Sequence, residues 1–390
     1  MGPRSRNEFA SAELNDEGDA AQEREMFLLD PGVTYLDHGA FGACPRPVFE
    51  KYQAWQRELE RSPVALLGRR IEDELATVRA QLGAYVGADV DELALILNAT
   101  VAINTVLRSI PLTSGDEILT TDHEYGAVQN LLDFIARRTG ARIVRAPETS
   151  ADAIWASASA RTKVLVVSHI TSPTAVLMPV RALCERARAA GVVSVIDGAH
   201  GPGQLMLDLR SLGADFYVGN CHKWLCGPKA AAFLHARASV QSMIEPLVVG
   251  WGYGDSPFEP GQDWRSARDP AAYLAIPAAI DFVRQHGRNA ECRTILDKGR
   301  RLLRASGFEP FADEGRIQMG YFRVPPCDPI VVCARLRAEF GIEVPIRVWR
   351  GDPMLRVSVA PYNTIADLRR LTTALSMIFP QARLNDEETT

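Results

Sequence analysis

Val195-Ile196-Asp197-Gly198-Ala199-His200-Gly201 and Gly219-Asn220-Cys221-His222-Lys223-Trp224 decide the reading of this chain. Each follows a short apolar stretch that reads as a strand, so an acid and an amine stand at two strand ends, twenty-six residues apart. Outward from them the pattern alternates. Residues 93–97 read as a strand and 99–109 as a helix; 117–120 as a strand and 125–138 as a helix. Residues 142–146 and 163–168 are strand-like with a weak helix between them, 180–190 helical, 192–196 a strand, and 215–219 and 230–235 further short strands. Upstream, Ile71, Leu75, Val78, Leu82 and Val86 recur at helical spacing. Apolar strands alternating with helices predict an α/β fold with a mostly parallel sheet covered on both faces. Ligands of such sheets lie beyond the carboxyl ends of the strands, where Asp197 and His222-Lys223 fall.

The 390 residues suffice for two domains, and 47% hydrophobic with 23% charged residues is ordinary globular composition. A net charge of −5 gives no electrostatic reason to bind nucleic acid or an anionic membrane. The seven cysteines form no C-x-x-C pair and read as reduced thiols, pointing to the cytoplasm. Residues 1–25 are polar without an apolar core and read as a disordered tail rather than a secretory signal. A large domain is expected over 26–270, with 26–60 also serving the smaller domain and the active site; 250–269 reads as a long loop or junction. From Pro270 the pattern turns to two long helices, short strands near Tyr321, Val344 and Leu355, and a last helix, predicting a smaller C-terminal α+β domain over 271–390.

The strand ends carry the chemistry. A lysine after a strand is usually a surface charge, but Lys223 lies between His222 and Trp224, where partial desolvation makes an amine nucleophilic. Asp197 reads either as an N-cap or as a carboxylate reserved for a cation. Together they meet the two demands of pyridoxal phosphate (PLP): an amine to hold the aldehyde as a Schiff base, and a carboxylate to keep the pyridine nitrogen protonated. Asn98-Ala99-Thr100 joins a strand end to a helix start, which is either plain capping or a phosphate cradle. Asp122-His123-Glu124-Tyr125 offers aromatics that could stack on a pyridine ring, or is simply an acidic helix start. His169 through Pro173 is a polar cluster after another strand. Five of seven histidines, His38, His123, His169, His200 and His222, lie in these segments or near residue 40, yet none are paired at H-x-x-x-H spacing, so no metal is expected. Arg356, on the alternating strand 355–359, faces either an outer salt bridge or, inward, an anion such as an α-carboxylate.

These segments, with Tyr35-Leu36-Asp37-His38-Gly39-Ala40-Phe41-Gly42 before them and Arg356-Val357-Ser358-Val359-Ala360-Pro361-Tyr362-Asn363-Thr364 after them, resemble the class V aminotransferase family of PLP fold type I. The likeness runs from about Met26 to the last helix; Thr121-Asp122-His123-Glu124-Tyr125-Gly126-Ala127, Ser172-Pro173-Thr174 and Arg268-Asp269-Pro270 look closest to its isopenicillin N epimerase-like subgroup. The resemblance implies the PLP-transferase fold with a seven-stranded sheet and a homodimer. It implies Lys223 as Schiff-base lysine, Asp197 at the pyridinium and His123 stacked on the ring, with Tyr125 as the alternative. Ala99, Thr100 and His222 would hold the phosphate, and Ser172, His169 and His200 would line the ring and its hydroxyl. Arg356 would bind the substrate carboxylate, with Tyr125, His38 and Phe41 on the substrate side. The family's usual Gly-Thr before Arg268 is Ser266-Ala267 here, so the cofactor contact of that threonine is either lost or taken by Ser266.

The cofactor makes a carbanion at Cα, and the protein chooses which bond breaks. Ala334 to Thr390 contains no cysteine, which excludes the persulfide-carrying desulfurase pattern of the family. The subgroup resemblance implies a cysteine S-conjugate substrate in secondary metabolism, processed by C–S β-elimination or decarboxylating oxidative deamination. The alternatives are an amino-acid epimerase and a non-catalytic PLP-binding paralogue.

Overall fold

The computed structural model describes residues 22–250, 268–312 and 316–380. The chain divides into two compact units, one of residues 47–283, the other of the residues up to Arg46 with those from Arg284 onward. The division falls inside the helix Ile276–His286, which begins after Pro270. The leading segment leaves the second unit at Arg46 rather than at residue 60, since one helix runs Arg46–Arg61.

The strands number β1 to β12 in chain order, beginning with Thr34–Tyr35 (β1). The larger unit holds seven: Leu93–Ile96 (β2), Glu117–Thr121 (β3), Arg142–Ala146 (β4), Thr162–Ser168 (β5), Val193–Asp197 (β6), Phe216–Asn220 (β7) and Ala232–Ala236 (β8). They form one sheet in the order β2-β8-β7-β6-β5-β3-β4. Strands β4, β3, β5, β6 and β7 pair in parallel, while β8 runs antiparallel to both its neighbours. Every residue of β3, β7 and β8 is buried, as a sheet covered on both faces requires. Helices Ala99–Ser109 and Gly126–Thr139 pack Ile103, Val106, Leu132 and Ile135 into a core with Val166, Val195, Phe216 and Leu234. Helix Ile71–Val86 buries all five residues of its apolar stripe and stops at Gly87, whose left-handed φ of 66° suits glycine.

This topology delivers chemistry to one edge. The carboxyl ends of β3, β5, β6 and β7 are Thr121, Ser168, Asp197 and Asn220, and Ser168 is the Cα partner of Asp197 in the parallel ladder.

The smaller unit contains β9 (Met319–Arg323), β10 (Ile342–Glu343), β11 (Ile346–Trp349) and β12 (Asp352–Ser358). Strands β11-β12-β9 make an antiparallel sheet, and β1 pairs in parallel with β10. Helices Asn289–Arg304, Pro329–Phe340 and Ile365–Ile378 close a core of Leu36, Leu296, Phe322, Leu336, Leu355 and Leu371. Residues 22–25 are helical, against the expected disorder through Glu25. Side-chain bonds hold that turn: Glu23 pairs with His286 at 3.1 Å, and Arg24 donates to the carbonyls of Asp30 and Val33. The junction expected over 250–269 lies largely outside the described residues. No helix of the described residues is long and apolar enough to cross a membrane.

Gly198 shows how tightly the strand-end loop is built. A Cβ there would lie 2.0 Å from Cζ of Tyr217, a ring with no exposure. Gly198→Ala must displace that ring, and a denaturant titration is expected to show a loss of about 2 kcal/mol, typical of overpacking.

Candidate functional site

Lys223 follows β7 in a turn, Cys221 to Gly227, closed by the Gly227 amide donating to the Cys221 carbonyl at 2.8 Å. Its Nζ lies 3.2 Å from His200 Nε2. The indole N–H of Trp224 donates to the other nitrogen of that ring, Nδ1, also at 3.2 Å. A neutral imidazole carries one proton and has one acceptor nitrogen. With Nδ1 accepting from Trp224, the proton sits on Nε2, on the side of Lys223 Nζ. The nucleophilic form of Lys223 is its free amine, whose lone pair can accept that N–H. Trp224 and His200 are both buried, so water competes little for either bond.

Asp197 ends β6 and is 4% exposed. Its Oδ1 accepts the Ala199 amide at 2.9 Å, the local capping bond that Asp commonly makes. Burial pushes the carboxyl above the usual carboxylate range; the Ala199 bond and the charge of Lys223 pull the other way. A desolvated carboxyl beside an amine is prepared for a cationic partner.

His123, 3% exposed, lies in the turn after β3, and its Nδ1 bonds Thr174 Oγ1 at 2.8 Å. Thr174 bonds Thr171 at 2.7 Å, so the turn after β5 fixes the ring. Tyr125, at the start of helix Gly126–Thr139, is half exposed. His169 bonds Tyr217 Oη at 3.1 Å, and burial lowers its pKa to about 4, so it is neutral at pH 7. Ser172 is half-buried in the same turn as Thr171 and Thr174. His222 is likewise pulled down to about 4, by burial first and then by the positive charge of Lys223.

At the start of helix Ala99–Ser109, Asn98 caps the Val101 amide at 2.9 Å. The Ala99 amide donates to Asn220 Oδ1 at 2.9 Å, so this expected phosphate donor is already committed within the protein. The Thr100 amide and hydroxyl have no bonding partner among the described residues, leaving them open to an anion at the helix N-terminus. Ser266 lies outside the described residues.

Three further participants, Asn220, Thr174 and Glu124, lie inside the sequence motifs but carry no role there. Glu124, 2% exposed, accepts from Thr121 Oγ1 at 2.7 Å and from Ser168 Oγ at 2.6 Å. It had read as a helix-start acid.

The remaining expected residues belong to the smaller unit. Arg356, on β12, is turned inward, with 6% side-chain exposure, and its Nη2 pairs with Asp37 Oδ1 at 2.9 Å. Asp37 lines a cavity of about 330 Å³ together with Tyr35, Phe41, Arg337 and Glu343. Phe41 is 66% exposed, whereas His38 is 1% exposed and bonds Tyr362 Oη at 2.9 Å.

Comparison with known proteins places the chain in a family. The profile of the family described as Aminotransferase class-V matches residues 34–282. The chain is 36% identical over 389 residues to an isopenicillin N epimerase of Amycolatopsis lactamdurans, covering 91% of this chain and 97% of the relative. It is 32% identical over 418 residues to a putative L-cysteine desulfhydrase 1 of Oryza sativa subsp. japonica, covering 92% and 86%. Among solved structures, a cysteine desulfurase from Escherichia coli superposes with a TM-score of 0.80 at 22% identity, over 93% of this chain and 98% of that one, a likeness of fold.

The Asp37–Arg356 pair gives a direct test of the smaller unit. Asp37→Ala leaves the guanidinium buried without this carboxylate, and thermal or denaturant unfolding is expected to report a loss of about 3 kcal/mol.

Proposed function

The chain belongs to the class V aminotransferase family, and from that premise we propose that it cleaves the C–S bond of a cysteine S-conjugate. It is a PLP-dependent enzyme, related both to isopenicillin N epimerases and to cysteine desulfhydrases. The residues at the strand ends fit PLP: a buried carboxyl suited to a cationic ring nitrogen, an amine held by an N–H donor, and an uncommitted amide and hydroxyl at a helix start. When bound, PLP draws electrons from Cα of an attached amino acid. Asp197 would pair with the pyridine nitrogen, Thr100 and His222 would hold the phosphate, and His123 would cover the ring.

Lys223 is the proposed base at Cα, with the Nε2–H of His200 holding its Nζ in place. The observation that carries the lyase reading is the 3.2 Å Lys223–His200 contact. It holds the one amine of the site in place, so the site offers a single base at Cα. Elimination of a thiol needs one base; inversion at Cα needs groups on opposite faces. Two other titratable side chains of this unit are engaged elsewhere, His123 with Thr174 and Glu124 with Thr121 and Ser168. Arg356, inward-facing and partnered by Asp37, is the proposed clamp for the substrate carboxylate. Decarboxylating oxidative deamination of the same substrates, with dioxygen as the added two-electron oxidant, uses the same groups and is the close variant of this reading. Epimerisation is the second reading, favoured by the 36% identity to an isopenicillin N epimerase.

Incubating the PLP-loaded protein with a panel of cysteine S-conjugates decides among these by product mass. A free thiol with pyruvate is the expected outcome. Carbon dioxide and an S-linked aldehyde would establish the decarboxylating variant. Substrates of unchanged mass that exchange their Cα hydrogen with solvent deuterium would replace the lyase reading with epimerisation. Lys223→Ala is expected to lose both the visible absorption band of bound PLP and all turnover.

A further inference from the structure

We propose that Glu124 is a second carboxylate of the cofactor pocket, a positioning residue whose negative charge acts jointly with Asp197 to favour the protonated ring of bound PLP. The inference rests on the PLP site described above and adds a residue to it.

The geometry begins with burial. Glu124 is 2% exposed, and one hydroxyl donates to each of its oxygens: Thr121 Oγ1 at 2.7 Å and Ser168 Oγ at 2.6 Å. Those donors are the last residues of β3 and β5, so the carboxyl straddles two neighbouring strand ends. Ser168 is in turn the ladder partner of Asp197. Two acids are thus held at the same edge of one sheet, with the Lys223 amine acting on Asp197 from the turn after β7. Buried charged pairs of like sign are costly. A carboxyl needed only to tie Thr121 to Ser168 would do so as well, and more cheaply, as an amide.

The surroundings define how Glu124 titrates. Burial pushes its carboxyl up to about 7, and the negative charge of Asp197 adds to the rise; the Ser168 and Thr121 bonds oppose it. From its own turn, His123 is bound to Thr174 and Asp122 is half-buried; from β5, His169 is neutral at pH 7. The folded value lies above the ordinary 4.5, so this group contributes stability below that value and loses it as pH rises through about 7. The protein therefore tolerates an ionised Glu124 at a cost in its own stability. A protonated ring nitrogen bound near the two acids offsets that cost and is favoured by it.

The test compares PLP dissociation constants of wild-type and Glu124→Gln apoproteins by fluorescence or absorbance titration at pH 8 and pH 5.5. At pH 8 the variant is expected to bind about tenfold more weakly, the equivalent of one pKa unit of interaction. At pH 5.5, where the wild-type carboxyl is protonated, the two should agree within about twofold. Phosphate and lysine titrations are common to both proteins and cancel in the ratio. A weakening equal at both pH values would mark Glu124 as merely structural and overturn the proposal, as would identical affinities at pH 8. Failure of the wild-type protein to bind PLP would remove the site itself, an outcome distinct from a flat ratio. If the Gln variant does not fold, Ser168→Ala serves instead. Loss of one donor raises the Glu124 pKa, so the pH midpoint of the affinity change should move upward; an unmoved midpoint would also overturn the proposal.

Discussion

The buried carboxyl of Asp197 at the end of β6 is the constraint on which the rest of the larger unit depends. An isolated ionised carboxylate inside a protein is expensive, and one local amide bond does not compensate for it. The fold surrounds it with groups that make the position useful. An amine acts on it from the turn after β7, and a second acid sits two strands away at the same edge. A parallel sheet suits this arrangement because it places the ends of four neighbouring strands on one side. It also buries both faces, so the polar residues at the edge are set in a rigid, dry frame.

The hydrogen bonds at this edge form a set of short ties, each joining one loop to the next. Trp224 holds His200, which holds Lys223. Thr171 holds Thr174, which holds His123. Asn220 holds the first amide of the helix whose next residue, Thr100, is left open. These ties fix tautomer and orientation before any ligand arrives, the kind of preorganisation that lets a site act electrostatically without rearranging. Tyr217 works similarly, its ring lying against Gly198 and its hydroxyl on His169.

Much of this was legible in the chain. Lys223 and Asp197 stand out because each follows an apolar run, and the alternation of strands and helices predicts the sheet. The stripe Ile71 to Val86 was readable for the same reason. Other features depend on contacts that spacing does not encode. Asp37 and Arg356 are 319 positions apart, and neither residue alone says which way Arg356 turns. Glu124 stands where an acid near a helix start is commonplace, so only its burial and its two hydroxyl donors separate it from an ordinary helix acid. The reversed direction of β8 follows from the turn Cys221 to Gly227 after β7, whose geometry the residue types do not reveal. The position of Ala99 at a helix start suits a phosphate donor, but its amide is bonded to Asn220, a contact that spacing does not encode.

The central claim is that Lys223 is the amine that holds PLP. The most direct measurement is borohydride reduction of the PLP-loaded protein, followed by proteolysis and mass spectrometry of the peptides. The account predicts a phosphopyridoxyl group on the peptide containing Lys223 and on no other lysine. A stoichiometric label on a different lysine, or none on a protein that binds PLP, would contradict it.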